Sequence, residues 1–167
     1  MEHALKRDFQ LHAVQTMEEA AAVSAFLLGP DCFDDQRFTP GEEEQLRMLP
    51  VQSIGLPHMH CWYEREDEQI ISAIVFAENE HRSGGYRLDY FGVHRSYRQR
   101  KLGRRLLDAM IRYCIESDGR YIETFTCDLP PYDTARGLFE RSGFEFICHL
   151  PDYYYPGEGK LLYMKRL

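Results

Sequence analysis

Between Tyr86 and Gly119 the sequence changes its period once, and the residues at that change restrict the fold most. "YRLDYFGV" (86–93) reads as a strand. From Leu102 onward, Leu102, Leu106, Met110 and Cys114 fall on one helical stripe, with Leu107 and Ile111 beside it. "SDGR" closes that helix, with Gly119 expected as its cap. At the junction, Arg95, Arg98, Arg100, Lys101, Arg104 and Arg105 crowd around Gly103, in a chain whose formal net charge is −7. A strand that turns sharply into a helix is a place to hold an anion. The first helical amides have no internal partner, and the helix dipole is positive there. Glycine admits close backbone approach, and arginines add charge-assisted contacts. A phosphate-bearing ligand is therefore expected, against the plainer reading of a solvated basic helix end.

The rest of the chain supplies the elements around this unit. "FQLHAV" (9–14) reads as a strand. Thr16 with Glu19 forms a capping box for a helix stopped by Gly29 and Pro30. Thr39, Pro40 and three glutamates start a second helix, which Pro50 is expected to end, leaving "VQSIGLP" as loop. "HMHCWYERE" (58–66) and "QIISAIVFAEN" (69–79) read as a hairpin. After the central helix come strand "YIETFTC" (121–127), helix "TARGLFERSG", strand "FEFICHL" (144–150), a loop "PDYYYPGEGK" and strand "LLYMKRL" (161–167). The order β-α-α-β-β-β-α-β-α-β-β implies an α/β fold on a mixed central sheet, with residues 1–167 as one domain.

Composition excludes several classes. "MEHALKRDFQ" is too polar for a secretory leader, and "AAAVSAFLL" is too short to span a bilayer. Five cysteines, odd in number and without a CxxC pair, suit reduced thiols in a cytoplasmic protein better than a disulfide framework or zinc site. The acidic total and the lack of interleaved aromatic and basic residues argue against nucleic acid, and are compatible with a cationic substrate. "HMH" (58–60) places two histidines on one strand face, but no third ligand follows at useful spacing, so no metal is expected. Cys127 has no evident His-Asp partners for nucleophilic work.

"FGV" followed by "HRSYRQRKLGRRLL" resembles motif A of the GNAT superfamily, the acyl-CoA-dependent N-acetyltransferases. The family pattern is Gln/Arg-x-x-Gly-x-Gly/Ala after a strand ending in two hydrophobic residues and Val. Arg98 takes its first position and Gly103 its last. "TARGLFERSGF" (134–144) is similar to the family's A-x-x-L-Y-x-x-x-G-F segment, and "DYYYPGEGKLLYMKR" to the tail of many N-terminal-amine acetyltransferases. The resemblance implies a GNAT-like sheet with splayed central strands. It implies acetyl-CoA as acyl donor, its pyrophosphate on Arg98, Gln99, Arg100, Lys101, Leu102, Gly103 and Arg104, its pantetheine arm along Phe91 and Val93, and Tyr132 and Phe139 beside it. Transfer would go by direct attack of a primary amine, of a small molecule or peptide, and a homodimer is the family-level expectation. A non-catalytic acyl-CoA sensor is the alternative.

Four positions depart from the pattern, one of them Tyr132, three residues before Ala135, where an asparagine is common. Lys101 replaces the first glycine, on backbone expected to be helical. Phe139 stands where a tyrosine often protonates the leaving sulfur, and Cys127 where a glutamate base often lies. Asp89, Glu123 and Asp128 are then the candidate bases, an ion pair with an arginine being the competing role for Asp89. Tyr155, the second catalytic candidate beside Asp89, is placed with Tyr153 and Tyr154 at the acceptor pocket, against simple aromatic packing. The acceptor is expected to meet segments around 30–57 and 151–160.

Overall fold

The computed structural model describes residues 10–167. Phe9, expected to open the first strand, lies outside them, and that strand, β1, is His12–Ala13. Helix α1 (Met17–Leu28) begins at the predicted capping box: Thr16 Oγ1 accepts from Glu19 N (3.1 Å), and Glu19 Oε2 from Thr16 N (3.0 Å). Helix α2 (Pro40–Gly55) repeats it with Thr39 and Glu42 at 3.1 and 2.8 Å. Contrary to expectation, α2 runs through Pro50 to Gly55. Proline removes one amide and crowds one carbonyl, which bends a helix without ending it when the following turn still closes. Here Leu56 N reaches Gln52 O at 3.1 Å, and Pro50 is buried.

Strands β2 (Met59–Glu66), β3 (Gln69–Glu78) and β4 (Gly85–Val93) form an antiparallel meander. Helix α3 (Leu102–Glu116) carries the chain to β5 (Tyr121–Cys127), which pairs parallel with β4. Helix α4 (Asp133–Arg141) precedes a hairpin of β6 (Glu145–Tyr155) and β7 (Glu158–Arg166). The sheet has seven strands in the order β1-β2-β3-β4-β5-β7-β6. The stretch read as a loop after Leu150 is thus mostly strand. A bulge between Leu150 and Tyr155, with Asp152 at φ 52°, absorbs the irregular residues, and Gly157 at φ 83° turns the hairpin.

Strand β3 is buried on both faces, which is why "IISAIVFA" is apolar throughout, except for the buried Ser72, rather than an alternation. Ile74 and Phe76 meet Leu106, Leu107, Met110 and Phe139 on one face. Ala73 and Val75 meet Val23, Leu27 and Leu46 on the other. All four stripe residues of α3 are buried. Its end differs in detail from expectation. Asp118, not Gly119, takes the left-handed position (φ 56°), with Asp118 N on Ile115 O (3.1 Å) and Gly119 N on Cys114 O (2.8 Å). Gly119 is required for a different reason, since a Cβ there would lie 2.6 Å from Cys114 O. No helix among the described residues is long and apolar enough to cross a membrane.

Two local features frame the start of α3. Lys101, its N-cap, is left-handed (φ 61°, ψ 19°) rather than helical, and its side chain makes no cap hydrogen bond. At Gly92 the segment joining α1 to α2 presses on β4 so closely that a Cβ would strike Cys32 Sγ. Left-handed backbone costs a non-glycine residue about 1–2 kcal/mol, of which the floppier unfolded glycine returns about 0.4–1 kcal/mol. Lys101→Gly should therefore stabilise by about 1 kcal/mol, seen as a higher urea midpoint at unchanged slope. An unchanged or lower midpoint contradicts this. Gly92→Ala should cost about 1–3 kcal/mol through overpacking, and adding Cys32→Ala should recover most of it. If the double variant is no more stable than Gly92→Ala, the contact is not the cause.

Candidate active site

Strands β4 and β5 share hydrogen bonds only from Gly85–Leu88 to Tyr121–Thr124. The pairing of β3 with β4 slips there, since Val75 faces Tyr90 while Phe76 faces Leu88. Asp89 is the extra residue, and a bulge of this kind twists and re-aims a strand. Beyond it the two strands part and a cleft of about 850 Å³ opens. That size suits a small-molecule site. The resemblance called for this splay.

One end of the cleft is the basic turn. Phe91, Val93, Arg98, Gln99, Lys101, Leu102, Gly103 and Arg104 all line it, as do Tyr132, Phe139 and Tyr155. Arg100 does not, and its guanidinium stacks on the Tyr97 ring at 4.8 Å. Gln99 (φ 64°) and Lys101 (φ 61°) are both left-handed. Left-handed residues before a helix turn successive amides toward a common point, an anion-binding concavity. The position where the family pattern carries glycine is thus one whose conformation favours glycine, and lysine occupies it with its side chain exposed. A Cβ on Gly103 would meet Leu138 Cδ2, Val93 Cγ2 and Phe91 Cε2 at 3.5–3.8 Å, so the helix start lies against the cleft floor.

Most of the arginine side chains have structural duties. Arg98 holds Cys32 O (2.7 Å) and Asp34 Oδ1 (2.8 Å), and Arg95 holds Pro30 O (3.2 Å). Together they tie the α1–α2 connection to the turn. Arg104 pairs with Asp108 and reaches Arg141 O (3.2 Å). Arg105 pairs with the buried Glu64 (2.7 Å). Burial raises the Glu64 carboxyl, and Arg105 opposes the shift. The backbone of the turn is left to face an anion.

The other end is acidic and aromatic. Asp89 lines it, with Oδ1 on Arg87 Nε at 2.6 Å. The ion-pair role is therefore real, yet Oδ2 is buried with no hydrogen-bond partner among the described residues. Burial pushes the Asp89 carboxyl up, and Arg87 opposes it. Tyr154 and Tyr155 line the cleft and Tyr153 does not, its ring lying under Lys160 Nζ at 4.6 Å. Glu123 and Asp128 lie outside the lining. Glu123 faces Arg87 across the strands, and Asp128 holds Gly159 N (2.8 Å) and His149 (2.8 Å). The Gly159 amide, more than His149, lowers the Asp128 carboxyl. Burial raises the Cys127 thiol, which keeps it protonated. His60 packs between Phe76 (4.7 Å) and Tyr113 (4.6 Å).

Sequence reasoning did not single out Asp35, Arg37, Glu42, Tyr90 or Glu158, all in the lining. Arg37 bridges Asp35 Oδ1 (3.3 Å) and Glu158 Oε1 (2.8 Å), joining the α1–α2 connection to the β6–β7 turn. Tyr132 donates to Asp35 (3.2 Å) and Tyr90 to Gln45 (2.7 Å). The only sequence signal was their place in the segments 30–57 and 151–160, and, for Tyr90, its position next to Asp89.

Known proteins agree with this architecture. A GNAT-family protein from Desulfovibrio desulfuricans is 21% identical, covers 95% of this chain and 98% of its own, and superposes with a TM-score of 0.80. The ribosomal-protein-S18-alanine N-acetyltransferase of Escherichia coli is 13% identical over 95% of this chain and 93% of its own, TM-score 0.73. The aminoglycoside 6'-N-acetyltransferase of Enterococcus faecium is 14% identical over 94% and 96%, TM-score 0.70. An aminoglycoside 6'-N-acetyltransferase solved with coenzyme A gives the same values. No curated protein matches by sequence. The profile of the acetyltransferase (GNAT) family covers residues 28–144, which include most of the cleft lining but not Tyr154, Tyr155 or Glu158. This chain belongs to the acetyltransferase (GNAT) family.

Proposed function

We propose that the chain moves an acetyl group from acetyl-CoA to a primary amine of a small molecule or peptide by direct attack, working as one domain over residues 1–167 in the cytoplasm. The observation that carries this reading is a cleft basic at the α3 turn and acidic at the far end, opening where β4 leaves β5. The turn amides at 98–104 would hold the pyrophosphate. Past Leu88, β4 has no β5 partner, so the backbone of Phe91 and Val93 is free to bind the pantetheine arm on that side. The coenzyme supplies an activated thioester. The chain supplies orientation and an exit for one proton.

The proton exit is the steeper demand. A lysine-like amine has a pKa of about 10.4, so about one molecule in a thousand is neutral near pH 7. Asp89, which borders the cleft and has a buried carboxylate oxygen without a partner among the described residues, is the base, directly or through water. A thiol leaving group resembles cysteine, with a pKa of about 8.5, so it departs as thiolate near neutrality and then takes up, directly or through water, the second proton that the attacking nitrogen sheds on forming the amide. Phe139, only 2% exposed and packed among Phe91, Phe144 and Tyr163, has no proton to give, and the chemistry needs none from it. The alternative, a sensor that binds acyl-CoA without turnover, is favoured by that same phenylalanine. Turnover with a panel of amines separates the two.

Acetyl-CoA should raise the melting temperature, since a ligand at one hundred times its Kd adds about 2.7 kcal/mol. No thermal shift and no calorimetric signal at millimolar coenzyme would overturn the proposal. Gly103→Val should weaken coenzyme binding far more than folding, because its methyls extend past a Cβ already in contact with Phe91, Val93 and Leu138. If that variant binds like the parent, the pyrophosphate is held elsewhere.

The pH–rate profile tests the proton inventory. Both the amine and Asp89 work deprotonated, so the rate should rise from about pH 6 to about pH 9 with no falling limb. Asp89→Asn should cost about 10²-fold or more. Phe139→Tyr should change the rate by less than about tenfold, under 1.4 kcal/mol. A bell-shaped profile in the parent would mean that another group is an essential acid.

A further inference from the structure

We infer that the acceptor end of the cleft is built for a dication, a primary amine carrying a second cationic group, with one cation at Asp89 and the other in a cage of Glu42, Tyr90, Tyr132 and Tyr154. This deepens the acetyl-transfer reading and rests on it only for which amine reacts. The charges lining the cleft are segregated. Arg98, Lys101, Arg104 and Arg141 stand with Asp34 near the α3 turn, whereas Asp35, Glu42, Asp89 and Glu158 stand with Arg37 at the other end.

Arg37 already satisfies two of those four acids. Its guanidinium, seated on Asp35 and Glu158, shows which charge this end accepts. Glu42 and Asp89 remain. Glu42 Oε2 accepts the Thr39 amide at 2.8 Å, but the carboxylate makes no ion pair among the described residues. The Tyr90 hydroxyl is engaged by Gln45 and the Tyr132 hydroxyl by Asp35, so these residues offer a ligand mainly ring surface. An anion beside aromatic rings is the composition that holds an ammonium through charge and cation–π attraction. Glu42, Tyr90, Tyr132 and Tyr154 line the same cleft, and burial foremost, with the Glu42 charge as a lesser cause, raises the three tyrosine hydroxyls.

Asp89 is the independent second point. Its side chain is 8% exposed, and Arg87 occupies only Oδ1. Oδ2 is buried and lacks a donor among the described residues, although the residue borders the cleft. Such an oxygen is costly to leave unmet, and an ammonium brings three donors. A monoamine satisfies one of these two positions, and a diamine of the right length satisfies both.

The test is calorimetric binding to the protein saturated with coenzyme A, near neutral pH where the amines are protonated. The probes are the linear α,ω-diaminoalkanes from 1,3-diaminopropane to 1,8-diaminooctane, each against the monoamine of equal length. At the best length the diamine should bind at least about tenfold more tightly than its monoamine. Glu42→Gln keeps the capping box, which accepts glutamine, and should reduce that preference to about twofold or less. Tyr154→Leu, which leaves the capping box alone, should lower it as well. No preference at any length in the parent, or a full preference in folded Glu42→Gln, overturns the inference. If coenzyme A does not bind, the acetyl-transfer reading fails, while the same titrations on the free protein still decide whether the cage exists.

Discussion

Two parallel strands that stop sharing hydrogen bonds halfway along are the constraint on which the rest depends. β4 and β5 separate after Leu88 and Thr124 because Asp89 adds one residue to β4 that β3 cannot match. Separation leaves backbone groups without strand partners, a cost that a closed sheet avoids. It also creates a passage through the sheet, joining the α3 face to the face covered by α1 and α2. A donor and an acceptor can then approach one point from opposite sides. The bulge residue that forces the opening also places its carboxylate at the border of it.

The concentration of arginines beside Gly103 divides its work between backbone and side chains. Arg95 and Arg98 secure Cys32 and Asp34, Arg104 secures the end of α4, and Arg105 answers a buried glutamate. The anion-facing character comes from the helix start and from two left-handed residues in sequence neighbourhood. Cutting a guanidinium there therefore loosens packing as well as removing charge. Arg98 in particular lines the cleft and holds Cys32 O and Asp34, so its role is inseparable from the loop that also carries Asp35 and Arg37.

What the sequence disclosed was local. Both capping boxes, the buried stripe of α3 and the strand-turn-helix at Gly103 depend on residues within one or two turns of each other, and all are present. Three misreadings were also local, but decided by neighbours. Pro50 stays helical because the next turn closes around it, Asp118 takes the left-handed position ahead of Gly119, and β6 passes its proline through a bulge. Lys101 was misread because nothing about a lysine announces positive φ. The acceptor end was the least legible. Arg37 with Glu158, and Tyr132 with Asp35, pair residues far apart in the chain, and no periodicity encodes such pairs.

The hairpin at the sheet margin has a consequence for how the molecule keeps to itself. β6 is an edge strand, and Phe146, Ile147 and Leu150 on it are 43–53% exposed. An exposed apolar edge is a template on which another chain can add a strand. Pro151 has no amide to offer such a chain. Directly after it, the bulge with Asp152 at φ 52° turns the backbone out of register. The edge available for strand addition is thereby cut to the stretch before Pro151, and the irregular tyrosine-rich segment that shapes one wall of the cleft also guards the sheet against unlimited growth.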